Sequence, residues 1–569
     1  MNVLGIGGYS HDSAAALVVD GVLVAAVAEE RLSRVKHQGG PPRRAVAYCL
    51  AQAGLRPEDV DHVTAYMRPG VRLGRRIPYR MGQALRSPIY SLGFIGYEAI
   101  HNAQYVVDMR SLRGPKAHLH YMAHHPAHAA SAFLLSPFDR AALLTIDYVG
   151  EFAATWMGVG EGTALRPLRH MNYPNSLGVF YSAITDYLGF LRASDEYKVM
   201  GLASYGEPEF YDDFRRILLE TADGGYRFDR SWIAWPQVPG SRCGYFSPKF
   251  LARFGQPRKA SEPVTPHHAN IAASAQRVLE EAVLRLATWL HAKTGLRDLC
   301  LAGGVALNCS MNGRLLREGP FERIFVQPAA GDDGIAIGGA MQVHHALTGT
   351  PRKFEMRHAN YGPAFDNAAI KAVLDRTKTA YETPAQVEER TAELLAEGKI
   401  VGWYQGRMEF GPRALGSRSI LADPTRPEMK DLLNKYVKYR EEFRPFAPSV
   451  LADRSAEYFE GCTDSPFMLF VHKVRPEQRA AIPAVTHIDG TARVQTVTRE
   501  ASPRYYAMIE AFGRRTGVPV VLNTSFNVMG EPIVHTPEDA LRCFASTGMD
   551  ALVMGDYVVQ KQPQATAAA

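Results

Sequence analysis

Two stretches of this chain share one grammar: a strand, a polar turn carrying an acid, and a second strand. Near the N-terminus "NVLGIGG" meets a polar turn holding His11 and Asp12 and continues into "SAAALVVDGVLVAAVAEER". There two apolar, β-branched runs flank Asp20-Gly21, a two-residue hairpin signal. About 135 residues later "RAALLTIDYVGEFAATWMGVGEG" repeats the form, with Asp147 in the turn. A repeat of this kind points to a duplicated α/β subdomain whose two turns face the phosphates of a nucleotide. A large α/β protein with two unrelated hairpins would carry the same letters, so the repeat alone leaves both readings open.

At 569 residues the chain is too long for a single core and implies two to four domains. Hydrophobic residues at 46% and charged residues at 21% are ordinary for a globular protein. A net charge of +6 suits anionic substrates such as phosphates but is too weak to argue for nucleic acid. The six cysteines form no C-x-x-C pair, which speaks against a zinc ribbon, a redox motif or a disulfide frame. The N-terminal run lacks a basic leader and reads as a strand, so no signal peptide is expected. No run of 18 apolar residues occurs. A cytoplasmic enzyme with no membrane or nucleic-acid partner is the expectation.

Residues 267–295 carry a long amphipathic helix pattern ending at Gly295, followed by "DLCLAGGVALNCSMNGRL": strand, Gly-Gly turn, and a helix starting near Asn308. A glycine turn before a helix lets backbone N–H groups approach a phosphate or a ribose. "FVQPAAGDDGIAIGGAM" repeats the form, with Asp332 and Asp333 before a small-residue helix. Those small residues permit close packing or close ligand approach. Around 347–382 the composition loosens, marking a boundary between a domain at 1–355 and an α/β domain at 375–560. That second domain is expected to open with a helix capped by Thr383, with Pro384 first and Gly398 after its end. Residues 561–569 read as a disordered tail.

Two constellations carry chemistry. In "YMAHHPAHAAS" His124 and His128 are four apart and share one helical face, the spacing a metal needs from two imidazoles. His125 points elsewhere and reads as structural. Such a pair is equally at home as polar residues on a helix, and other ligands must decide. In the second half, Arg413, Arg418, Lys438, Arg440, Arg444 and Arg493 lie among rigid Gly-Pro and Arg-Pro turns, with Asn523, Thr524 and Ser525 ending the strand "VPVVLN". If the segment is extended, Lys438 and Arg440 share a face. Cations beside Asn and Ser at a strand end suit a phosphate-bearing ligand. No G-x-x-x-x-G-K-[ST] occurs, which excludes a Walker-type NTPase.

The segments "HDSAAALVVDG", "EERLSRVKH", "HHPAHAASAF", "SLGVFYSAITDYLGF", "KVMGLASYG", "LAGGVALN", "GDDGIAIGGA", "FGPRALGSRSIL", "VKYREEFRPFAPSV" and "LNTSFN" together resemble the O-carbamoyltransferases of antibiotic and nodulation-factor biosynthesis, the NodU/CmcH family. The resemblance runs through nearly the whole chain. It implies an actin-like (ASKHA) transferase module of duplicated subdomains followed by a YrdC/Sua-like α/β module. It also implies a two-step reaction. Carbamoyl phosphate and Mg-ATP give carbamoyl adenylate in the C-terminal module, and a hydroxylated small-molecule acceptor then takes the carbamoyl group in the N-terminal one. By the same resemblance His124, His128, Asp147 and Asp332 match ligands of a divalent metal, usually iron(II), with Asp333 as the alternative if the turn shifts by one. His11 matches a histidine at the reacting carbonyl, and Lys36 a lysine near nucleotide or acceptor. Gly303, Gly304 and Asn308 match the adenosine-side turn. Arg413, Lys438, Arg440, Arg444, Arg493, Asn523 and Ser525 match positions that hold carbamoyl phosphate and ATP.

The turn reads "DYVGEF" where the family more often has Asp-Gly, so Tyr148 stands at a wall of the site. The acid-free stretch 68–86 is expected to be a solvated basic face. A tRNA threonylcarbamoyl-type enzyme and an actin-like ATPase scaffold are the rival readings.

Overall fold

The structure is a computed structural model and describes residues 1–84, 88–233 and 246–561. The end of the 68–86 stretch, Cys243 and most of the C-terminal tail lie outside the described residues. Contacts divide the chain into two units: Met1–Glu30 with His37–Met356, and Arg31–Lys36 with the chain from Arg357 onward.

The first unit is built twice from one plan. Strands β1 (Asn2–Gly7), β2 (Ala14–Val19), β3 (Val22–Ala28), β4 (His62–Ala65) and β5 (His118–Tyr121) form a sheet ordered β3-β2-β1-β4-β5. The antiparallel β1–β2 and β2–β3 pairs are joined to parallel β1–β4 and β4–β5 pairs. Strands β6 (Arg140–Ile146), β7 (Ala153–Glu161) and β8 (Ala164–Asn172) precede a short hairpin, β9 (Leu218–Glu220) and β10 (Tyr226–Phe228). With β11 (Asp298–Ala302) and β12 (Arg323–Val326) they give a second sheet, ordered β12-β11-β6-β7-β8. Its pairs have the same senses as those of the first sheet: β6–β7 and β7–β8 antiparallel, β6–β11 and β11–β12 parallel. Two sheets of one topology are the duplicated actin-like arrangement expected from the repeated hairpins. The Asp20-Gly21 turn has positive φ at both residues, 48° and 82°, as a tight two-residue hairpin needs.

After Asn2, strand β1 is apolar and buried through Gly7, as a strand covered on both faces must be. Helix Ile335–Thr348 lies against it: a Cβ on Gly5 would sit 1.8 Å from the Ala336 carbonyl oxygen. The same helix meets helix His124–Phe133, where a Cβ on Gly338 would fall 1.9 Å from the Ala127 oxygen. The small residues of "GIAIGGAM" therefore serve close packing, and the packing brings the start of one helix beside His124 and His128 of the other. The long helix runs Pro266–Thr294 and stops at Gly295, whose φ is +64°. Asn308 caps helix Cys309–Glu318 by accepting from the Met311 N–H at 3.0 Å.

In the second unit, strands β13 (Val401–Tyr404), β14 (Arg418–Ala422), β15 (Ala447–Leu451), β16 (Val471–Lys473), β17 (Thr491–Arg493), β18 (Gln495–Val497), β19 (Val520–Ser525), β20 (Ala551–Met554) and β21 (Tyr557–Gln560) form two sheets. Seven of them are ordered β18-β15-β19-β14-β13-β20-β21, and β16 pairs with β17. The seven-stranded sheet is covered on both faces. Trp403, Leu421 and Val521 pack with Leu395 and Phe512, while Ile420, Leu522 and Leu552 pack with Phe459 and Phe544.

Two local expectations are corrected here. The helix expected to be capped by Thr383 spans Val387–Ala396, after helix Asn367–Arg376 of the same unit, so Thr383 and Pro384 lie before it. Glu382 is held in a β-bridge with Val558 and Gln386 is extended, which delays the helix despite good capping letters. Gly398 does follow its end, with φ +83°. Lys438 and Arg440 do not alternate along an extended segment. Leu433–Lys438 is a wide helical turn closed by Tyr439 at φ +46°.

Candidate functional site

The i, i+4 spacing of His124 and His128 does what a helix makes it do: both imidazoles leave one face of helix His124–Phe133. The turn after β6 supplies Asp147, and the turn before helix Ile335–Thr348 supplies Asp332. The His124 Nε2 lies 2.9 Å from Asp147 Oδ2 and 3.6 Å from Asp332 Oδ1. The His128 Nε2 lies 3.5 and 3.6 Å from the same two oxygens. A first-row cation about 2.1 Å from each donor spaces neighbouring donors about 3.0–3.4 Å apart, close to these separations. All four donor atoms fall within 4.8 Å of one another and all four residues are buried. Neither ring nitrogen of His128, fully buried, has a hydrogen-bond partner, an orphan that a coordinated ion would satisfy. The donor set fits a divalent first-row metal. Asp333 is not part of this cluster and accepts the Gly334 N–H at 3.0 Å.

The charges fit as well. Burial opposes the charged form of His128, but the nearby carboxylates of Asp147 and Asp332 outweigh it and raise its pKa to about 9. Burial would raise Asp147, yet His124 and His128 hold it well below the ordinary carboxylate range. His128 and Asp147 thus favour each other's charged forms in the metal-free cluster, and a cation bound through the His128 imidazole displaces its proton.

Glu151 and Ser176, which sequence reasoning passed over, support the ligands together with Gly304, which it places at the adenosine side. The Glu151 carboxylate accepts the His124 N–H at 3.1 Å at the start of its helix, where negative charge is favoured. The Gly304 N–H donates to Asp147 Oδ1 at 3.1 Å, tying the Gly-Gly turn to the cluster. Ser176 donates to the Tyr148 carbonyl at 2.6 Å, so the backbone of the atypical turn is pinned and Tyr148 is half-buried. His125, as expected, is structural: it bridges Thr145 Oγ1 at 2.8 Å and the Ala153 carbonyl at 3.0 Å, and burial pushes its pKa down to about 3.

The 68–86 stretch is not simply a solvated face. It lies on helix Pro69–Ala84, where Arg72 and Arg76 turn inward to the buried Glu98. Arg76 also donates to the Glu151 and Gly150 carbonyls, both at 2.8 Å, bracing the Asp147 turn. Only the partner Glu98, 22 residues away, reveals this.

His11 occupies the other hairpin turn, half-exposed, with Nδ1 at 3.0 Å from Asp12. Burial disfavours its charged form, but the Asp12 hydrogen bond and the Asp332 and Asp147 carboxylates prevail and lift the pKa to about 10. A divalent ion shared by Asp147 and Asp332 would cancel much of that pull. Lys36 is exposed and belongs to the short Arg31–Lys36 segment that groups with the second unit. Gly303, at φ +91°, makes the sharp turn beside β6. Asn308 has both side-chain atoms engaged by Gln276, at 2.9 and 3.0 Å, so its place is that of a cap and brace for that turn.

In the second unit the structure gathers Lys438, Arg440, Arg444 and Ser525 near one another. The Lys438 ammonium is buried and donates to the carbonyls of Ser525 and Asn527 and to Asn527 Oδ1, each at 2.8 Å. Those bonds occupy its three protons, so Lys438 anchors the "LNTSFN" loop. Burial, helped by Arg440 and Arg444, lowers its pKa well below that of an ordinary lysine. Arg440 donates to Asn434 Oδ1 at 2.7 Å and lies over the Phe446 ring. Arg444 pairs with Glu441 at 3.6 Å. Asn523 donates to Ser449 and Gln495, each at 3.0 Å, and to the carbonyl of Ala414, beside the half-buried Arg413. Arg493 lies on β17 near His487, whose pKa burial and that guanidinium bring down to about 4. Arg418 is fully buried and clamps loops by donating to the carbonyls of Gln405, Gly406, Ser417 and Pro363. The Glu409 carboxylate, missed in the sequence, accepts the N–H groups of Leu415, Ser417 and Arg418 and shapes the "GPRALGS" loop. Among the described residues no helix is long and apolar enough to cross a membrane.

Residues 2–341 match the family model "Carbamoyltransferase N-terminus" and residues 392–561 match "Carbamoyltransferase C-terminus". The uncharacterized protein sll1178 of Synechocystis sp. is 44% identical over 99% of this chain and 97% of its own length. Nodulation protein NolNO of Sinorhizobium fredii is 40% identical over 97% of this chain and 79% of its own. Nodulation protein NolO of Bradyrhizobium diazoefficiens is 42% identical over 78% of this chain and 79% of its own.

Proposed function

Since the chain belongs to the carbamoyltransferase family and is a carbamoyltransferase enzyme, we propose that it is an ATP-dependent O-carbamoyltransferase acting on a hydroxyl of a small-molecule acceptor. Carbamoyl phosphate gives up its phosphate to water, and the carbamate attacks the α-phosphorus of ATP in the second unit, forming carbamoyl adenylate and releasing pyrophosphate. In the first unit the acceptor oxygen attacks the carbamoyl carbon, the new C–O bond forms, and AMP leaves with the electrons of the broken one.

The observation that carries this reading is the convergence of His124, His128, Asp147 and Asp332 in a chain that matches both halves of the family. These four would hold a divalent metal, iron(II) by the family resemblance, and such an ion neutralises phosphate charge on the leaving nucleotide. Gly304 keeps the turn expected at the adenosine side in register with Asp147. His11 is the candidate base for the acceptor hydroxyl, and Lys36 a candidate contact to nucleotide or acceptor. In the second unit Arg413, Arg440, Arg444 and Arg493 supply positive charge for carbamoyl phosphate and ATP. Lys438, Ser525 and Asn523 shape the loop that receives them. The resemblance to O-carbamoyltransferases of antibiotic and nodulation-factor biosynthesis makes a hydroxylated natural product the acceptor proposed here in preference to tRNA.

Pyrophosphate release measured with ATP alone and with ATP plus carbamoyl phosphate tests the reading. Release that requires carbamoyl phosphate supports it; equal release without carbamoyl phosphate would favour an ATPase and overturn it.

A further inference from the structure

Within the first unit Asp12 stands between two imidazoles. Its Oδ2 lies 3.0 Å from His11 Nδ1 and its Oδ1 lies 2.8 Å from His37 Nδ1. The His37 Nε2 lies 2.9 Å from Ser194 Oγ, and the His37 backbone N–H donates to Glu30 Oε2 at 2.8 Å. An ionised carboxylate only accepts hydrogen bonds, so both facing Nδ1 atoms must carry protons. Ser194 can then donate to the lone pair on His37 Nε2. The chain leaves one outcome for His11: its Nδ1 is protonated, and when the ring is neutral its lone pair is on Nε2. Asp12 and His37 both hold positive φ, 52° and 56°, conformations that non-glycine residues keep only when their surroundings fix them.

We propose that Asp12, backed by His37 and Ser194, is the positioning residue that sets the tautomer and orientation of His11 for carbamoyl transfer. The proposal rests on the reading of His11 as the base that takes the acceptor's proton. In that step the proton of the acceptor hydroxyl passes to His11 Nε2 as the oxygen bonds to the carbamoyl carbon and the bond to AMP breaks. Asp12 stays ionised and stabilises the imidazolium through the Nδ1–H bond, as carboxylates do for catalytic histidines elsewhere. His37 takes up the second oxygen of Asp12 and stops the carboxylate from rotating away.

The test uses the full-length, zinc-loaded protein labelled with ¹⁵N-histidine, with the His11 signals identified by their loss in His11→Asn. In the parent protein His11 Nδ1 is expected to carry a proton. In Asp12→Ala the proton moves to Nε2, the form free imidazole prefers. A single-turnover assay with ATP and carbamoyl phosphate, water serving as acceptor, gives the second readout. AMP release is expected to fall by about 10²-fold in Asp12→Asn and about 10-fold in His37→Ala. His37→Asn keeps a donor where Nδ1 stood and is expected to restore most of the loss, while the pyrophosphate burst is unchanged throughout. His11 ¹⁵N shifts that do not change in Asp12→Ala, or a His37→Asn protein as slow as His37→Ala, would overturn the positioning role. If the parent protein gives no pyrophosphate burst, the functional reading fails instead, and the tautomer measurement still decides the role of Asp12.

Discussion

Replacing Gly338 with alanine strikes at the packing that assembles the metal cluster. The added Cβ would sit 1.9 Å from the Ala127 carbonyl oxygen and 2.7 Å from the Ser131 nitrogen. Such contacts do not form below 3.0 Å, so helices His124–Phe133 and Ile335–Thr348 must part by at least about 1.1 Å. Both obstacles are backbone atoms, which cannot rotate aside, and overpacking of this kind costs about 1–3 kcal/mol. His128 follows Ala127 directly and Asp332 precedes the other helix, so the gap between their donors, now 3.6 Å, widens with the helices. Metal affinity should fall about 10- to 100-fold, the range seen when the support of a ligand is disturbed. Gly70→Ala is the control, because a Cβ there meets no atom within 4 Å. Urea unfolding and zinc titration of the three proteins supply the measurements. A Gly338→Ala protein that unfolds with the control and binds zinc as tightly as the parent would refute the close-packing argument.

Further outcomes follow from the same geometry. His128→Ala should abolish stoichiometric metal binding and acceptor transfer while pyrophosphate release stays within about twofold, read by metal analysis and the coupled assay. In metal-free protein the His128 pKa is raised to about 9 from 6.5, so its contribution to stability is complete below pH 6.5 and is lost as pH rises through 9. Denaturation midpoints from pH 6 to 10, with and without zinc, should show that loss only without the metal. Lys438→Met should remove one donor each from the Ser525 and Asn527 carbonyls and from Asn527 Oδ1, slow pyrophosphate release by about 10²-fold and leave metal content intact. Glu151→Gln should weaken zinc binding about 10-fold by removing the charged cap at His124.

The parts of this protein that are legible in its letters are those set by local periodicity. Asp20-Gly21 fixes a hairpin, the four-residue spacing of His124 and His128 puts two rings on one face, and Gly295 ends a long helix. The family resemblance then points to Asp147 and Asp332, which no spacing rule connects to the histidines. What stays hidden depends on partners distant in sequence. Pro384 is a good first helical residue, yet the Glu382 bridge to Val558 keeps the chain extended past it. Lys438 looks like a phosphate ligand until the Ser525–Asn527 loop is folded around it. Arg72 and Arg76 read as solvated because Glu98 is on another helix. Asp12 and His37 lie in two separate segments of the family resemblance, 25 residues apart, and only the fold that brings them together reveals the pair.

The most direct test of the account is to incubate the iron-loaded protein with ATP, ¹³C-carbamoyl phosphate and a panel of hydroxylated natural products, and to follow label, AMP and pyrophosphate together. The account predicts a labelled carbamoyl ester on an acceptor hydroxyl, with one AMP and one pyrophosphate formed per ester and none of the three products without carbamoyl phosphate. Steady ATP turnover that ignores carbamoyl phosphate and leaves every acceptor unlabelled would contradict it.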